Sequence, residues 1–353
     1  MQFQAILRSG GYFALLFSTF LHVLQAQTVA TGATFGNVIA LGGTPSDVVL
    51  DENRGKLYTV NSSANRVDIY DYVNQQKAGS ISVGSRPLAA AISMDASILY
   101  VTINGSSTVS VVDLNSTGSI QTIPIPAKPE GVEVGADGRA LICTQGTAGT
   151  TQNVLYILDL MQPLGQQVTA APFASPPPTP TALPPVQAPP TTTFRGKLQR
   201  TADGNFKIGV SVINNTQTVT YLYETASGTV LRSRFVSGQS TTLSVSPDGS
   251  KFMAGFTLYD TATLAIGQES SSNAPFPRAT INPTTPAGSS IFTPEGSTVY
   301  GGFNIAPNVF PPARPQASTL LLSDANNLRI RLGIKLAENI VAKMVMSLSC
   351  SSL

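Results

Sequence analysis

Residues that could carry acid–base or nucleophilic chemistry are sparse in this sequence. The only histidine is His22, and it lies within the first 27 residues, which we expect to be removed from the mature chain. Without a histidine, Ser-His-Asp and Cys-His nucleophile activation, proximal histidine ligation of haem and histidine-based zinc or copper sites are excluded. Catalysis by carboxylates alone is the chemistry that remains open.

The two cysteines indicate neither a disulfide framework nor a metal site. Cys143 lies in the apolar run 140–143, and Cys350 lies within the last four residues of the sequence. This separation matches no metal-ligand spacing, and we predict Cys143 to be a small buried side chain. The sequence also lacks a Walker loop, a dinucleotide-binding fingerprint and an EF-hand loop. We therefore predict no catalytic residue, no metal ligand and no cofactor.

One acid closes an apolar run in each of six successive segments. We predict that these acids accept hydrogen bonds from backbone N–H groups in the turn that follows, because single acids spread around a ring do not gather at one metal. They are Asp71, Asp113, Asp159, Glu224, Asp260 and Asp324.

The composition favours a compact β protein. Charged residues make up 11% of the chain, well below the roughly 25% of an ordinary soluble domain. The net charge of +2 provides no basic surface for nucleic acid. Hydrophobic residues reach 42%, and the 30 glycines and 25 prolines suit many short strands that are joined by tight turns.

Residues 1–27 have the pattern of a secretory signal peptide. Arg8 is their single charge, the apolar run 12–24 is too short to span a bilayer comfortably, and Leu24-Gln25-Ala26 is a suitable cleavage site. We predict a secreted, periplasmic or cell-surface protein with no membrane span after cleavage. An uncleaved N-terminal anchor is the alternative.

A repeat of 42 residues organises the rest of the chain. Pro45, Pro87 and Pro129 are spaced by 42 residues, and so are Tyr58 and Tyr100. Each unit contains four short apolar runs, rich in Val, Ile, Tyr and Thr, that are separated by turn residues. Four antiparallel strands in 42 residues are typical of a β-propeller blade. We predict an all-β fold, a β-propeller of four-stranded blades, whose innermost strands include residues 48–50, 88–93 and 132–134.

Hairpin turns are predicted between the first and second runs of the units, because glycine accepts the positive φ that such turns require. These turns hold Asp95-Ala96, Asp137-Gly138, Asp203-Gly204, Asp248-Gly249 and Glu295-Gly296.

The order of these features resembles the bacterial YVTN-repeat β-propeller family: a proline, an apolar run, an Asp-Gly turn, Leu-Tyr-Val-Thr-x-Asn and Val-x-Val-x-Asp. The motif is clearest at residues 99–104, and the resemblance extends over about residues 38–347, most strongly in the first three units. It implies a secreted or surface propeller, within a wider group that includes lactonases and cofactor-dependent enzymes. WD-type repeats fit less well, because the chain has no Trp and no Gly-His pair.

The spacing predicts six recognisable blades within a propeller of residues 28–353, and an insertion in the third blade. The extra residues match the segment 162–194, which contains Pro176-Pro177-Pro178 and Pro184-Pro185. Proline cannot donate hydrogen bonds to a sheet, so we predict a stiff, extended surface insertion. A docking strand for a partner is the alternative. A second proline-rich loop, residues 305–315, lengthens the sixth unit.

Fragments of a further blade occur at both ends of the repeat region. Residues 36–43 resemble an outermost strand, and residues 340–347 resemble an innermost strand. Propellers commonly close their ring by completing one blade from both ends of the chain. We therefore predict an incomplete seventh blade, truncated at the C-terminal end, whose open seam exposes strand edges. A closed ring of six blades with extra terminal strands is the alternative.

Candidate ligand-binding residues lie where the chain leads into innermost strands. They are Arg86, Lys128 and Glu130, because loops at that face of a propeller usually surround the mouth of the central channel. Solvated rim charges without a ligand are the alternative interpretation.

Two functional classes fit the sequence. The first is a non-enzymatic extracellular or surface binding or scaffold propeller, whose partner is an unknown protein or a carbohydrate surface. The absence of histidine after residue 22, the low charge and the proline-rich loops favour it. The second is a lactonase-like or quinoprotein-like enzyme, which would need carboxylates, Asn and Arg clustered at the channel mouth.

Overall fold

The computed structural model is all-β. The residues that it describes form twenty-three strands and no helix. All of these residues belong to one compact unit, Ile39–Leu353. The structure describes residues 42–116, 119–146, 154–174, 193–214, 217–237, 239, 241–255, 257–267, 287–305 and 317–335.

The strands form six antiparallel sheets in chain order, which we call blades 1 to 6. Blade 1 contains β1 (Pro45–Asp51), β2 (Lys56–Asn61), β3 (Arg66–Asp71) and β4 (Gln76–Ser82). Blade 2 contains β5 (Pro87–Ile92), β6 (Ile98–Ile103), β7 (Thr108–Asp113) and β8 (Ile120–Pro124). Blade 3 contains β9 (Pro129–Val134), β10 (Ala140–Thr144), β11 (Leu155–Leu158) and β12 (Val168–Ala170).

The second half of the chain repeats this plan. Blade 4 contains β13 (Phe194–Arg200), β14 (Phe206–Asn214), β15 (Gln217–Glu224) and β16 (Thr229–Ser237). Blade 5 contains β17 (Leu243–Val245), β18 (Lys251–Ala254) and β19 (Thr257–Asp260), and residues 268–286 after it are not described. Blade 6 contains β20 (Ala287–Phe292), β21 (Thr298–Ile305), β22 (Ala317–Asp324) and β23 (Ile330–Lys335).

The first strand of each blade contacts the first strand of the next, from β1 through β5, β9, β13 and β17 to β20. Successive blades therefore share an inner ring of strands around a channel, while the later strands of each blade lie progressively outward. This confirms the predicted β-propeller and the predicted innermost strands in blades 1 to 3. The fragments predicted for a seventh blade lie outside the described residues, apart from Gly42 and Gly43.

The hydrophobic core consists of layers between neighbouring blades. Blades 2 and 3, for example, bury Tyr100, Val134, Ile142 and Leu158 against one another. These side chains come from β-strands rich in β-branched and aromatic residues, which pack well on a pleated surface. Cys143 is buried as predicted, and burial raises the pKa of its thiol to about 12.

The turns follow the predicted chemistry. The glycines of the acid–glycine pairs all have positive φ: Gly138 +74°, Gly204 +69°, Gly249 +70° and Gly296 +69°. Five of the six closing acids accept a backbone N–H from the following turn, as Asp71 does from Asn74 at 2.8 Å. Glu224 differs, because its backbone carbonyl accepts a hydrogen bond from the N–H of Gly228.

The segment predicted as an insertion, 162–194, begins inside the blade rather than outside it. Its residues Val168–Ala170 are β12, which pairs with β11 as the fourth strand of blade 3. Phe173 then bridges Val230 of β16 in parallel, and the Val230 N–H donates to the Pro172 carbonyl at 2.9 Å. Residues 168–170 are free of proline and can donate hydrogen bonds, so the prolines before and after them do not prevent a strand. Residues 175–192 and 306–316 lie outside the description.

Candidate functional site

The channel widens where the innermost strands finish. We call this space the exit cavity; its volume is about 370 Å³, within the range of small-molecule sites. Five of the six blades contribute to its wall, through side chains that include Leu50, Ile92, Arg200, Val245 and Phe292. Ten of the nineteen described residues that line it are apolar and nine are polar or charged, so a ligand would meet a mixed surface.

The hydroxyl groups at the rim of the exit cavity already serve the turns. Ser93 donates to Asp95 at 2.6 Å, and Ser246 donates in the same way to Asp248 at 2.6 Å. These hydrogen bonds hold the pKa of both carboxyls below the usual range. The rim hydroxyls are therefore parts of the turns rather than free reactive groups.

Arg200 marks the inner wall of the cavity. Its Nη1 donates to the Ile92 carbonyl at 2.8 Å and to Glu133 Oε1 at 2.9 Å, so one guanidinium joins blades 2, 3 and 4. Glu133 Oε1 also accepts the N–H of Val134 at 2.9 Å. The charge of Arg200 is therefore balanced inside the protein by Glu133.

A second charge pair lies farther along the channel, beside a narrow space of about 30 Å³. Lys197 Nζ is 3.8 Å from Asp47 Oδ1, and the N–H of Ala90 donates to Asp47 Oδ2 at 3.1 Å. Burial raises the pKa of Asp47, although Lys197 opposes that shift. Asp47 and Glu133 thus each lie beside a side chain of opposite charge.

Gln199 is the exception in this network. It lines both the exit cavity and the narrow space, its exposure is 4%, and its Oε1 has no hydrogen-bond partner among the described residues. An unpaired buried carbonyl oxygen is rare and costs free energy. Gln199 Oε1 is therefore an unpaired acceptor that is buried in the protein rather than open to the exit cavity.

The predicted site residues lie at the other end of the channel, where innermost strands begin. Arg86 and Lys128 are exposed, whereas Glu130 is buried, with an exposure of 6%. Glu130 Oε1 accepts from Gln145 Nε2 at 3.0 Å, and Oε2 accepts from the N–H of Gly196 at 2.6 Å. Glu130 thus ties β9 to β13. Ligand binding by Arg86, Lys128 and Glu130 stays a prediction.

The sequence contains a signal for the exit cavity. Five units can be compared at the residue that stands three positions before the turn acid. This residue is apolar in four of the five units. The four are Ile92, Val134, Val245 and Phe292, and the fifth is Arg200. Arg200 thus breaks the repeat with a polar side chain at the end of the inner strand.

Metal ligation has little support from the described side chains. No group of three or more His, Cys, Asp or Glu side chains that could hold a metal ion occurs in the described ranges. None of the described residues forms a helix long and apolar enough to cross a membrane.

Comparison with solved structures supports the propeller fold. Hydrazine synthase of Kuenenia stuttgartiensis superposes with a TM-score of 0.56 at 19% identity, over 82% of this chain and 80% of that one. The Cps50 (Swd1) β-propeller domain of Myceliophteria thermophila superposes with a TM-score of 0.57 at 13% identity, over 84% and 88% of the two chains. No family model matches the sequence, and no curated protein matches it. At these identities the likeness concerns the fold alone.

Proposed function

We propose that this chain is a non-enzymatic binding β-propeller that acts outside the cytoplasm and uses the exit cavity as its binding site. One observation carries the proposal: the charged groups of the channel are paired with each other, as Glu133 is with Arg200 at 2.9 Å. Acid–base catalysis needs a titratable group within hydrogen-bond reach of the proton that moves. Here Asp47 and Glu133 are held by protein donors, and the cavity wall mixes apolar side chains with polar ones.

The extracellular location rests on residues 1–27, whose short apolar run follows a single positive charge. N-terminal sequencing of the protein recovered from its native host tests it. We expect a mature chain that begins close after Ala26 and is found outside the cytoplasm. A chain that retains Met1 and stays in the cytoplasm would contradict this part of the proposal.

The second candidate, a lactonase-like or quinoprotein-like enzyme, is favoured by one observation. Asp47 is buried, its pKa is raised by that burial, and Lys197 and Glu133 lie in the same narrow space. Perturbed carboxyls in a cleft are common in active sites. The raised pKa would let Asp47 hold a proton as a general acid.

One experiment separates the two candidates. The purified full chain is incubated with panels of lactones and saccharides, with and without Ca²⁺, while melting temperature is recorded and the compounds are recovered for mass spectrometry. We expect a rise in melting temperature with unchanged compounds. Turnover that disappears in Asp47→Asn but persists in the matched variant Asp324→Asn, a partly exposed acid of blade 6, would replace the binding function with the enzymatic one.

A further inference from the structure

Arg200 is the single cationic side chain among the described residues that line the exit cavity. It also lines the narrow space, so it stands at the inner end of the cavity, where the two spaces meet. The two acids of the lining belong to blade 1: Asp51 is buried and pairs with Arg54 at 2.9 Å, and Glu52 is exposed to solvent. A ligand that enters the cavity therefore meets a cation at its inner end.

One edge of the Arg200 guanidinium is unused. The hydrogen bonds that Arg200 makes with described residues are all donated by Nη1, to oxygens of Ile92, Glu133 and Val134. None of the described side-chain atoms that are buried without a hydrogen-bond partner belongs to Arg200, so its Nε and Nη2 are open to solvent. In the planar guanidinium these two atoms present parallel N–H groups, the geometry that suits the two oxygens of a carboxylate.

The hydroxyl groups of the wall are occupied within the protein. Besides the two serines at the rim, Thr201 donates to Asp203 at 2.5 Å, and the hydroxyls of Ser244 and Ser290 are 2.7 Å apart. Ten of the nineteen described lining residues are apolar. The cavity thus offers apolar surface for the body of a ligand, beside the open N–H groups of Arg200.

We infer that the exit cavity binds a small carboxylic acid with an apolar body, whose carboxylate accepts hydrogen bonds from Nε and Nη2 of Arg200. This inference deepens the proposed function and rests on it. The volume of about 370 Å³ admits a single ring or a short hydrocarbon chain, but not a folded protein segment. Burying the body against the apolar part of the wall is favourable, and a bidentate, charge-assisted contact is among the strong hydrogen bonds.

Glu133 limits the strength of this contact. Its Oε1 accepts from Arg200 Nη1 at 2.9 Å, away from the unused edge of the guanidinium. A ligand carboxylate on that edge would lie nearer to the cation than to Glu133, so attraction exceeds repulsion, because Coulomb energy falls with distance. The repulsion still opposes binding, and it opposes a dianion more than a monoanion. Removing the charge of Glu133 should therefore strengthen the binding of an acid.

The first test is isothermal titration calorimetry of the full chain with matched acids and amides. The acids are hexanoate, benzoate and phenylacetate, the neutral probes are hexanamide, benzamide and phenylacetamide, and inorganic phosphate is the second anion. We expect a Kd between about 10 µM and 1 mM for at least one acid, and a Kd about tenfold or more higher for its amide. An amide that binds as tightly as its acid would overturn the inference. Tighter binding of phosphate than of every acid, or no binding of any acid, would also overturn it.

Three variants locate the carboxylate. Arg200→Lys keeps the charge but removes the planar pair of donors, and we expect the Kd of the acid to rise about tenfold or more. Glu133→Gln removes the opposing charge but keeps an oxygen for Arg200 and Val134, and we expect the Kd of the acid to fall at least about threefold, with no change for the amide. The matched control Asp324→Asn removes the same charge from the ion pair with Arg331 in blade 6, and should bind as the unaltered chain does.

Melting temperature is recorded on the same samples. Tighter binding by Glu133→Gln cannot result from a damaged fold, so this variant decides the test even where Arg200→Lys melts at a lower temperature. An unchanged or higher Kd of the acid in Glu133→Gln would overturn the inference. Binding of a lactone or a saccharide without binding of any acid would overturn it as well, but would leave the binding function intact. Chemical conversion of a bound compound would overturn the proposed function instead.

Discussion

Arg200 is the single side chain whose loss should most weaken the inner ring of strands. Its guanidinium bonds Glu133 of blade 3 and the Ile92 carbonyl of blade 2 from its own position in blade 4. Arg200→Met keeps the aliphatic stem but leaves Glu133 charged and without its cation, and leaves the Ile92 carbonyl without this donor. Glu133 retains only the N–H of Val134. Removing one partner of a buried ion pair costs about 3 to 5 kcal/mol, and the remaining N–H bond places Arg200→Met near about 3 kcal/mol.

The matched control is an ion pair on the protein surface. Arg331 Nη2 lies 2.5 Å from Asp324 in blade 6, but its side chain is 53% exposed, whereas that of Arg200 is 17% exposed. Exposed pairs contribute at most about 1 kcal/mol, so Arg331→Met should change the free energy of unfolding by less than that.

Urea denaturation of both variants measures these free energies directly. The double variant Arg200→Met/Glu133→Leu should recover at least about 1 kcal/mol relative to Arg200→Met, because it removes the stranded charge. A cost of less than about 1 kcal/mol for Arg200→Met, equal to that of Arg331→Met, would refute the claim that the channel charges are held as internal pairs.

Three further outcomes follow from the described contacts. Glu130→Gln should lower the free energy of unfolding by about 1 to 2 kcal/mol in urea denaturation, because an amide cannot replace both oxygens, one of which accepts from Gly196. The affinity for carboxylic acids should stay unchanged, and a loss of affinity would return Glu130 to the ligand site. Gly209→Ala should prevent stable folding, seen as a lost circular-dichroism transition, because its Cβ would overlap the ring of Tyr221. Burial lowers the pKa of Lys207 to about 8, so the unfolded chain holds more protons than the folded one between about pH 8 and 10.5. The free energy of unfolding should therefore rise with pH across that interval, and Lys207→Met should abolish the rise.

The repeat region could be predicted from sequence because each unit carries its own strand and turn signals. Pro45, Pro87 and Pro129 recur every 42 residues, and each begins a first strand. The glycines after turn acids have the expected positive φ, since a residue without Cβ is favoured there. Local chemistry and the repeat period point to the same fold, so the architecture follows without long-range information.

The site could not be predicted in the same way. The contacts between the first strands of neighbouring blades bring Gln199 to the same cavity as Ile92 and Phe292, which are about one hundred residues away on either side. Glu130 was predicted at the channel mouth because the chain there leads into an innermost strand, yet its carboxylate is buried and accepts from the N–H of Gly196 in the next blade. The strand β12 was not predicted, because the prolines before and after it favoured an extended insertion. Val168–Ala170 contain no proline and pair with β11.

Hydrogen–deuterium exchange with and without a bound carboxylic acid tests the central claim most directly, because it shows which end of the channel holds the ligand. Occupation of the exit cavity predicts slower exchange in residues 199–204 and 244–249, with no change in residues 85–88 and 127–131. Slower exchange confined to residues 85–88 and 127–131 would contradict the account and place the ligand at the end that contains Arg86 and Lys128.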